Sequence, residues 1–208
     1  MEDIQVVVFD CDGVMFDTTE SNKAYYNQIL AHFDRPAMTP EQFAYTHMHT
    51  VDEALVHLFK DLTALEKVNA YRKQMSYLPF LRYMQIEPDL ISILQRLRPD
   101  YKTAIATNRS DTMQWVMDEY GLTELFDLVV TALDVVRPKP HPEQLYKILT
   151  YFNLAPSQML YIGDSELDEA AAGAAGVDFV AFGNRALAAQ YHITRLGELP
   201  DILNSGCR

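Results

Sequence analysis

Apolar positions along the chain follow two alternating rhythms. Short unbroken runs at 4–9, 101–107, 126–132, 159–164 and 177–183 carry Val, Ile, Phe, Leu and Ala at neighbouring positions. Continuous rather than alternating apolarity fits strands covered on both faces, as parallel strands are. Between these runs the spacing becomes helical. Leu90, Ile91, Leu94 and Leu97 recur at helical intervals, and the stretch that follows the second run offers Ser110 as an N-cap and Gly121 as the residue past the helix end. Pro142 suits the first position of a further helix. Such alternation predicts βαβ units with right-handed crossovers. The expected fold is therefore α/β, a doubly wound, parallel, Rossmann-like sheet of five or more strands.

One segment breaks the alternation. Between Thr18 and Tyr83 the pattern is helical throughout, and Thr39-Pro40-Glu41-Gln42 and Thr63-Ala64-Leu65-Glu66 both resemble capping boxes. The next strand pattern, at Tyr101, comes after a helical stretch of roughly 65 residues, where a crossover needs about a dozen. The predicted organisation is an α/β core made of 1–16 and 85–208, with an all-α domain at 17–84 inserted after the first strand.

With 49% apolar and 22% charged residues in 208, the chain can build a substantial core. Lys and Arg number 17 against 29 Asp and Glu, a net charge of −12. That balance argues against a nucleic-acid binder, which needs a clustered basic surface. It also means that an anionic ligand requires a cation and a few placed basic side chains. Cys11 and Cys207 sit at opposite ends without metal-ligand spacing, which suggests a reducing compartment. Glu2 and Asp3 have the wrong sign for a signal peptide, and no run approaches the ~20 apolar residues of a membrane span. These features predict a cytoplasmic monomer or homodimer whose partner is a small molecule, with neither membrane nor nucleic acid involved.

In a doubly wound sheet, ligands bind beyond the carboxyl ends of the strands. The first strand here ends in Asp10-Cys11-Asp12-Gly13, the second in Thr107-Asn108-Arg109, and the fourth in Gly163-Asp164-Ser165 with Asp168 one turn on; Lys139 lies in the Pro-rich connection after the third. Two residues apart on a strand, Asp10 and Asp12 share a face with Cα atoms about 6.6 Å apart. They repel unless a proton or a cation intervenes. Asp10 and Asp164 suit the hard-oxygen shell of Mg²⁺. Thr107 can donate its hydroxyl to a phosphoryl oxygen, and Lys139 brings the balancing positive charge. Asp10 can then act as a nucleophile toward phosphorus, and Asp12 as general acid and base.

The segments "FDCDGVMFDT", "ATN", "RPKPHPE" and "GDSELDEAAAGAAG" resemble, in order, the four motifs of the haloacid dehalogenase superfamily. The helical insert is similar to the cap of its phosphoglycolate phosphatase and β-phosphoglucomutase subfamily. The resemblance implies Asp10 as nucleophile, Asp12 as general acid/base, Thr107 and Lys139 as phosphate ligands, and Asn108 bound to phosphate through its backbone. It implies Mg²⁺ held by Asp10, the Asp12 carbonyl and Asp164, with Asp168 supporting the metal's waters. Because true dehalogenases of the superfamily lack the second aspartate, Asp12 points to phosphoryl transfer. The expected activity is hydrolysis of a small phosphate monoester, phosphoglycolate-like or a sugar phosphate, through an aspartyl-phosphate. A phosphomutase of the β-phosphoglucomutase type is the alternative, and a phospho-accepting signalling module a more remote one.

Other positions have plainer readings. Strand alternation turns Cys11 into the core, Gly13 lets the chain turn off the strand at the phosphate side, and Asp17 suits a hinge or helix start. Arg109 either touches substrate or pairs with an acid. His47, His49 and His57 lack metal spacing and are read as a loop of the inserted domain at the site's mouth. Lys60, Arg72, Lys73 and Arg82 are the insert's basic candidates, read mostly as solvated helix positions. The "AAAGAAG" run is expected to permit close helix–sheet packing.

Overall fold

The computed structural model describes residues 4–205, so Cys207 lies outside the described residues. Contacts divide the chain into two compact units, Met1–Phe16 with Ile86–Arg208, and Asp17–Gln85.

In the first unit, β1 (Val6–Phe9), β4 (Lys102–Ala106), β5 (Leu128–Val130), β6 (Met159–Gly163), β7 (Asp178–Phe182) and β8 (Tyr191–Ile193) form a six-stranded sheet in the order β5-β4-β1-β6-β7-β8. Every neighbouring pair is parallel. The sheet thus has the doubly wound topology expected, plus a sixth strand at 191–193 that no apolar run announced. The strands are interleaved with α6 (Leu90–Leu97), α7 (Met113–Glu119), α8 (Glu143–Phe152), α9 (Glu166–Ala175) and the C-terminal α10 (Leu199–Ser205). All four residues of β1 are fully buried, which accounts for its unbroken apolar run. Val6 and Val8 join Ala104, Ala106, Met159 and Tyr161 in one cluster with Leu145, Ile148 and Leu149 of α8 and Ala171, Ala172 and Ala175 of α9. On α6 the buried stripe is Leu90, Ile93, Leu94 and Leu97. Ile93 therefore takes the place expected for Ile91, which is half-buried.

The helix ends show which local signals held. Gly121 follows α7 with φ 64°, and Gly176 caps α9 with φ 70°, both in the left-handed region that spares a residue without Cβ. The Ser110 expectation fails: α7 starts at Met113, and the Ser110 hydroxyl bonds instead to the neighbouring Asp111 carboxylate at 3.1 Å. Pro142 is the residue before α8 and not its first.

The second unit holds α1 (Thr19–His32), α2 (Pro40–Met48), α3 (Val51–Phe59), α4 (Leu62–Gln74) and α5 (Leu78–Leu81). Two-residue strands, β2 (Phe16–Asp17) and β3 (Gln85–Ile86), pair where the chain passes between the units. β3 thus precedes Tyr101, where strand was expected to resume; two residues are too few to make a pattern. The Thr39 capping box is present, and a second one, Thr50 with Glu53, opens α3. Thr63 lies within α4, which begins at Leu62. Tyr25 packs its ring edges against Tyr26, Tyr77 and Phe80, and Phe59 meets Phe33, so an aromatic core of its own holds this unit together.

The alanines of "AAAGAAG" do pack, but Gly173 does not serve that packing: a Cβ there meets nothing within 4 Å. Its position in the middle of α9 carries only glycine's backbone entropy. Gly173→Ala is expected to raise stability by about 0.5–1 kcal/mol, read as an upward shift in the urea midpoint with an unchanged slope.

Candidate active site

Strand register brings the acidic residues together. Phe9 lies opposite Ile105 of β4 and Ile162 of β6, so Asp10 follows β1 level with Ala106 and Gly163, and Thr107 and Asp164 come one residue further along the two adjacent strands. β1 is central, and the chain leaves it toward β4 and β5 on one side and β6, β7 and β8 on the other. That is the switch point where a doubly wound sheet opens a crevice.

Lys139 is the hub. Its Nζ lies 2.8 Å from Asp10 Oδ1, 2.6 Å from Asp168 Oδ1 and 3.0 Å from the Tyr161 hydroxyl, and only 3% of the residue is exposed. Burial would lower the pKa of this ammonium, but Asp10 and Asp168 outweigh it and raise it above the usual lysine value.

Asp168 is fully buried, and donors surround it. Oδ1 accepts from Lys139 Nζ and from the Tyr161 hydroxyl at 2.5 Å; Oδ2 accepts from Ser165 Oγ at 2.6 Å and from the backbone N–H groups of Ser165 and Asp164 at 3.1 and 3.3 Å. Burial pushes this carboxyl up, and Lys139 with these hydrogen bonds more than reverses it, holding the pKa below the ordinary aspartate value. The geometry follows from local sequence. Ser165 is the N-cap of α9 and Asp168 its third residue, so the two form a reciprocal capping box. Asp164 therefore stands before the helix, and Asp168 reaches back to its backbone N–H. Gly163 is what lets Asp168 sit so close, since a Cβ there would stand 2.3 Å from Asp168 Cβ.

Asp10 and Asp164 face the opposite balance. Burial, then Lys139 in opposition and Asp168 in support, leaves Asp10 pushed up to about 7. Burial, Asp10 and Asp168 push Asp164 up to about 8, against Lys139. Potential ligand atoms of Asp10, Asp164 and Asp168 all lie within 4.8 Å of one another. Three carboxylates against one buried ammonium are a charge excess that a divalent cation relieves. The donor set is all oxygen, which suits a hard ion such as Mg²⁺. Because Asp168 is already saturated with donors, Asp10 and Asp164 are the carboxylates open to it. Gly13 completes the cradle. Its φ is 88°, and a Cβ there would stand 2.1 Å from Asp164 Oδ2, so only glycine lets the turn pass against that carboxylate.

This balance has a measurable sign. Between the ordinary aspartate value of 3.8 and about 7 to 8, the folded metal-free protein keeps protons on Asp10 and Asp164 that the unfolded chain has lost. Their contribution therefore makes stability fall as pH rises from about 4 to 8. Asp168, lowered, loses its own contribution only on the acid side. In EDTA the melting temperature is expected to fall from pH 5 to pH 8, and Mg²⁺ to raise it more at pH 8 than at pH 5. A melt series at the two pH values with and without Mg²⁺ measures both.

Asp12 does not share Asp10's partners. β1 ends at Phe9, so both aspartates lie in the turn beyond the strand and alternation no longer governs them. The Asp12 carboxylate is held by Arg109: Nε donates to Oδ2 at 3.1 Å and an Nη to Oδ1 at 2.5 Å, while the other Nη donates to Thr112. Arg109 is 8% exposed, so this is a buried bidentate pair with a site residue. Of the two open readings for Arg109, the structure shows the acid partner. Thr107 is buried, and its Oγ1 accepts the backbone N–H of Arg109 at 3.1 Å. The Asn108 side chain is bonded to the backbone of Lys139 at both ends. Cys11 is fully buried as expected, and burial, chiefly, pushes its thiol well up. Tyr161 was not anticipated: inside an apolar strand run a tyrosine reads as core, and only its hydroxyl, bonded to Asp168, gives it away.

In the second unit, Asp17 accepts the Thr19 N–H at 3.0 Å at the start of α1, as its helix-start reading requires. Two of the three histidines occupy helices, His47 in α2 and His57 in α3, while His49 is the extended residue just past the end of α2. His47 is in α2 with Nδ1 3.0 Å from Asn22, and His49 and His57 each stack on Tyr45, at 3.8 and 4.1 Å between ring centroids. Rings stacked on aromatics are packing elements. Lys60 and Lys73 are exposed, Arg82 lies over the Tyr83 ring, and Arg72 is buried, contrary to its solvated reading. Among the described residues no helix is long and apolar enough to cross a membrane.

The family model for haloacid dehalogenase-like hydrolases matches residues 7–182. The phosphoglycolate phosphatase of Pasteurella multocida is 26% identical over 190 residues, covering 85% of this chain and 84% of that protein. A pyrophosphatase of Bacillus cereus is 29% identical over 175 residues, covering 79% and 76%. Among solved structures, a haloacid dehalogenase superfamily hydrolase of subfamily IA from Geobacter sulfurreducens has a TM-score of 0.85 and 34% identity, over 96% of this chain and 99% of that one. A β-phosphoglucomutase from Clostridium difficile has a TM-score of 0.83 over 98% and 99%, at 19% identity a likeness of fold alone.

Proposed function

The chain belongs to the haloacid dehalogenase-like hydrolase family and to its phosphatases, and from that premise we propose a Mg²⁺-dependent phosphatase that hydrolyses a small phosphate monoester through an aspartyl-phosphate on Asp10. The observation that carries the reading is the placement of Asp10, at the end of the central strand, between the Lys139 ammonium and the Asp164 carboxylate.

Asp10 is the attacking group. One carboxylate oxygen forms the bond to phosphorus while the bond to the ester oxygen breaks. Asp12, two residues on and across the turn, protonates the departing alkoxide and then removes a proton from the water that attacks the acyl-phosphate; this restores Asp10 and releases phosphate. Arg109 holds both oxygens of Asp12 in the resting site, so Asp12 parts from it before donating. The Thr107 hydroxyl and the Lys139 ammonium orient and neutralise the phosphoryl oxygens. Asp168 and Tyr161 hold Lys139. A bound Mg²⁺, taken by the carboxylates of Asp10 and Asp164 and the carbonyl of Asp12, would add positive charge against those oxygens. The relatives' names make a phosphoglycolate-like ester or pyrophosphate the first compounds to try.

The test is a phosphate-release screen over 2-phosphoglycolate, pyrophosphate and sugar phosphates, with Mg²⁺ and with EDTA. Release from at least one compound, abolished by EDTA, is expected. Isomerisation of a sugar phosphate without release would replace hydrolase by mutase, and EDTA-resistant release would remove the metal.

A further inference from the structure

Thr107 and Lys139 reach the site from separate segments, the end of β4 and the loop after β5. Two buried carboxamides stitch those segments together. Asn108 Oδ1 accepts the backbone N–H of Lys139 at 3.0 Å, and Asn108 Nδ2 donates to the Lys139 carbonyl at 3.0 Å. In the other direction Gln144, early in α8, donates Nε2 to the Thr107 carbonyl at 2.7 Å. Gln144 is fully buried and Asn108 is 8% exposed.

The stitch answers a problem set by local sequence. Lys139 stands between Pro138 and Pro140, which have no N–H to give, so the loop cannot enter a strand ladder. Yet Lys139 is buried, and its own N–H and C=O need partners. A carboxamide offers the donor and acceptor of a peptide group, and Asn108 presents both to one residue as a neighbouring strand would.

We propose that Asn108, with Gln144, is a positioning residue that sets the place of the Lys139 ammonium relative to Thr107 and Asp10, acting through Lys139 and not through the substrate. What Lys139 then does rests on the phosphatase reading; where it sits does not. The leverage is steep, because a displacement of about 1 Å in a reacting constellation costs on the order of 10²-fold, and the Lys139 contacts to Asp10 and Asp168 are only 2.8 and 2.6 Å long.

The test has two arms. With p-nitrophenyl phosphate and Mg²⁺, Asn108→Ala is expected to lower kcat/KM about 10- to 100-fold in the wild-type background but less than about 3-fold in Lys139→Met. Losses that multiply across the two backgrounds overturn the proposal. In the metal-free protein, the Lys139 amide is expected to exchange with solvent at least about 10-fold faster in Asn108→Ala than in wild type. Asn108→Asp keeps the acceptor for that N–H and loses the donor to the carbonyl, so it retains the slow exchange; it also covers the case in which the alanine variant does not fold. Unchanged Lys139 exchange in Asn108→Ala, or fast exchange in Asn108→Asp, overturns the proposal. If the wild type hydrolyses no phosphate ester, the phosphatase reading falls while the exchange arm still decides the stitch.

Discussion

Asp10→Asn is expected to lose turnover by roughly 10³-fold or more and, in the same preparation, to raise the melting temperature of the metal-free protein at pH 8. The first effect follows from removing the atom that bonds to phosphorus: a carboxamide is a poor nucleophile, and groups acting as one catalytic unit fail together. The second follows from the charge balance. Asp10 is pushed up to about 7 because burial and its acidic neighbours outweigh Lys139. At pH 8 the folded protein therefore holds a carboxylate that it would rather have neutral, and asparagine supplies the neutral isostere. At pH 5 that carboxyl is already protonated, so the two proteins should melt alike. Phosphate release and thermal melts at the two pH values decide it. A variant with full activity dismisses Asp10 as nucleophile, and one that melts lower at pH 8 dismisses the charge argument.

Lys139→Met should lose activity by about 10²- to 10³-fold, the scale on which one preorganised charge at a developing anion acts. Its effect on stability has the opposite sign to that of Asp10→Asn. Removing the ammonium leaves Asp10 and Asp168 buried without their cation, and breaking a buried pair costs about 3–5 kcal/mol. The loss should shrink toward acid pH, where the carboxyls take up protons in place of the lost charge. Urea unfolding at pH 5 and pH 8 measures this, and an equal loss at both values would mean that Lys139 contributes packing and not charge. Together the two variants separate catalysis from stability: both lose turnover, one melts higher and one lower.

Several of these groups were legible in the chain. The apolar runs at 4–9, 101–107 and 159–164 announce the three adjacent strands, and the polar residues that end each run, Asp10, Thr107 and Asp164, mark where a doubly wound sheet binds its ligand. Thr39 with Gln42 announces a helix start, because a capping box is complete within four residues. The misses are of two kinds. Ser110, Pro142 and Thr63 were misplaced by one to a few positions, since several neighbouring residues suit a helix start until the backbone chooses among them. Tyr161, Gln144 and the side-chain contacts of Asn108 were passed over because these side chains act on residues elsewhere along the chain.

The sequence alone determined what depends on spacing between near neighbours: the alternation of strand and helix, the long helical insert, the acidic motif at the end of β1 and the capping box that joins Ser165 to Asp168. The tertiary structure alone decided which charges meet. Arg109 finds Asp12 across 97 positions, and Lys139 joins Asp168 across 29. No periodicity encodes such pairs; they exist because strand register sets three chain segments side by side and burial makes an unpaired charge too costly to leave.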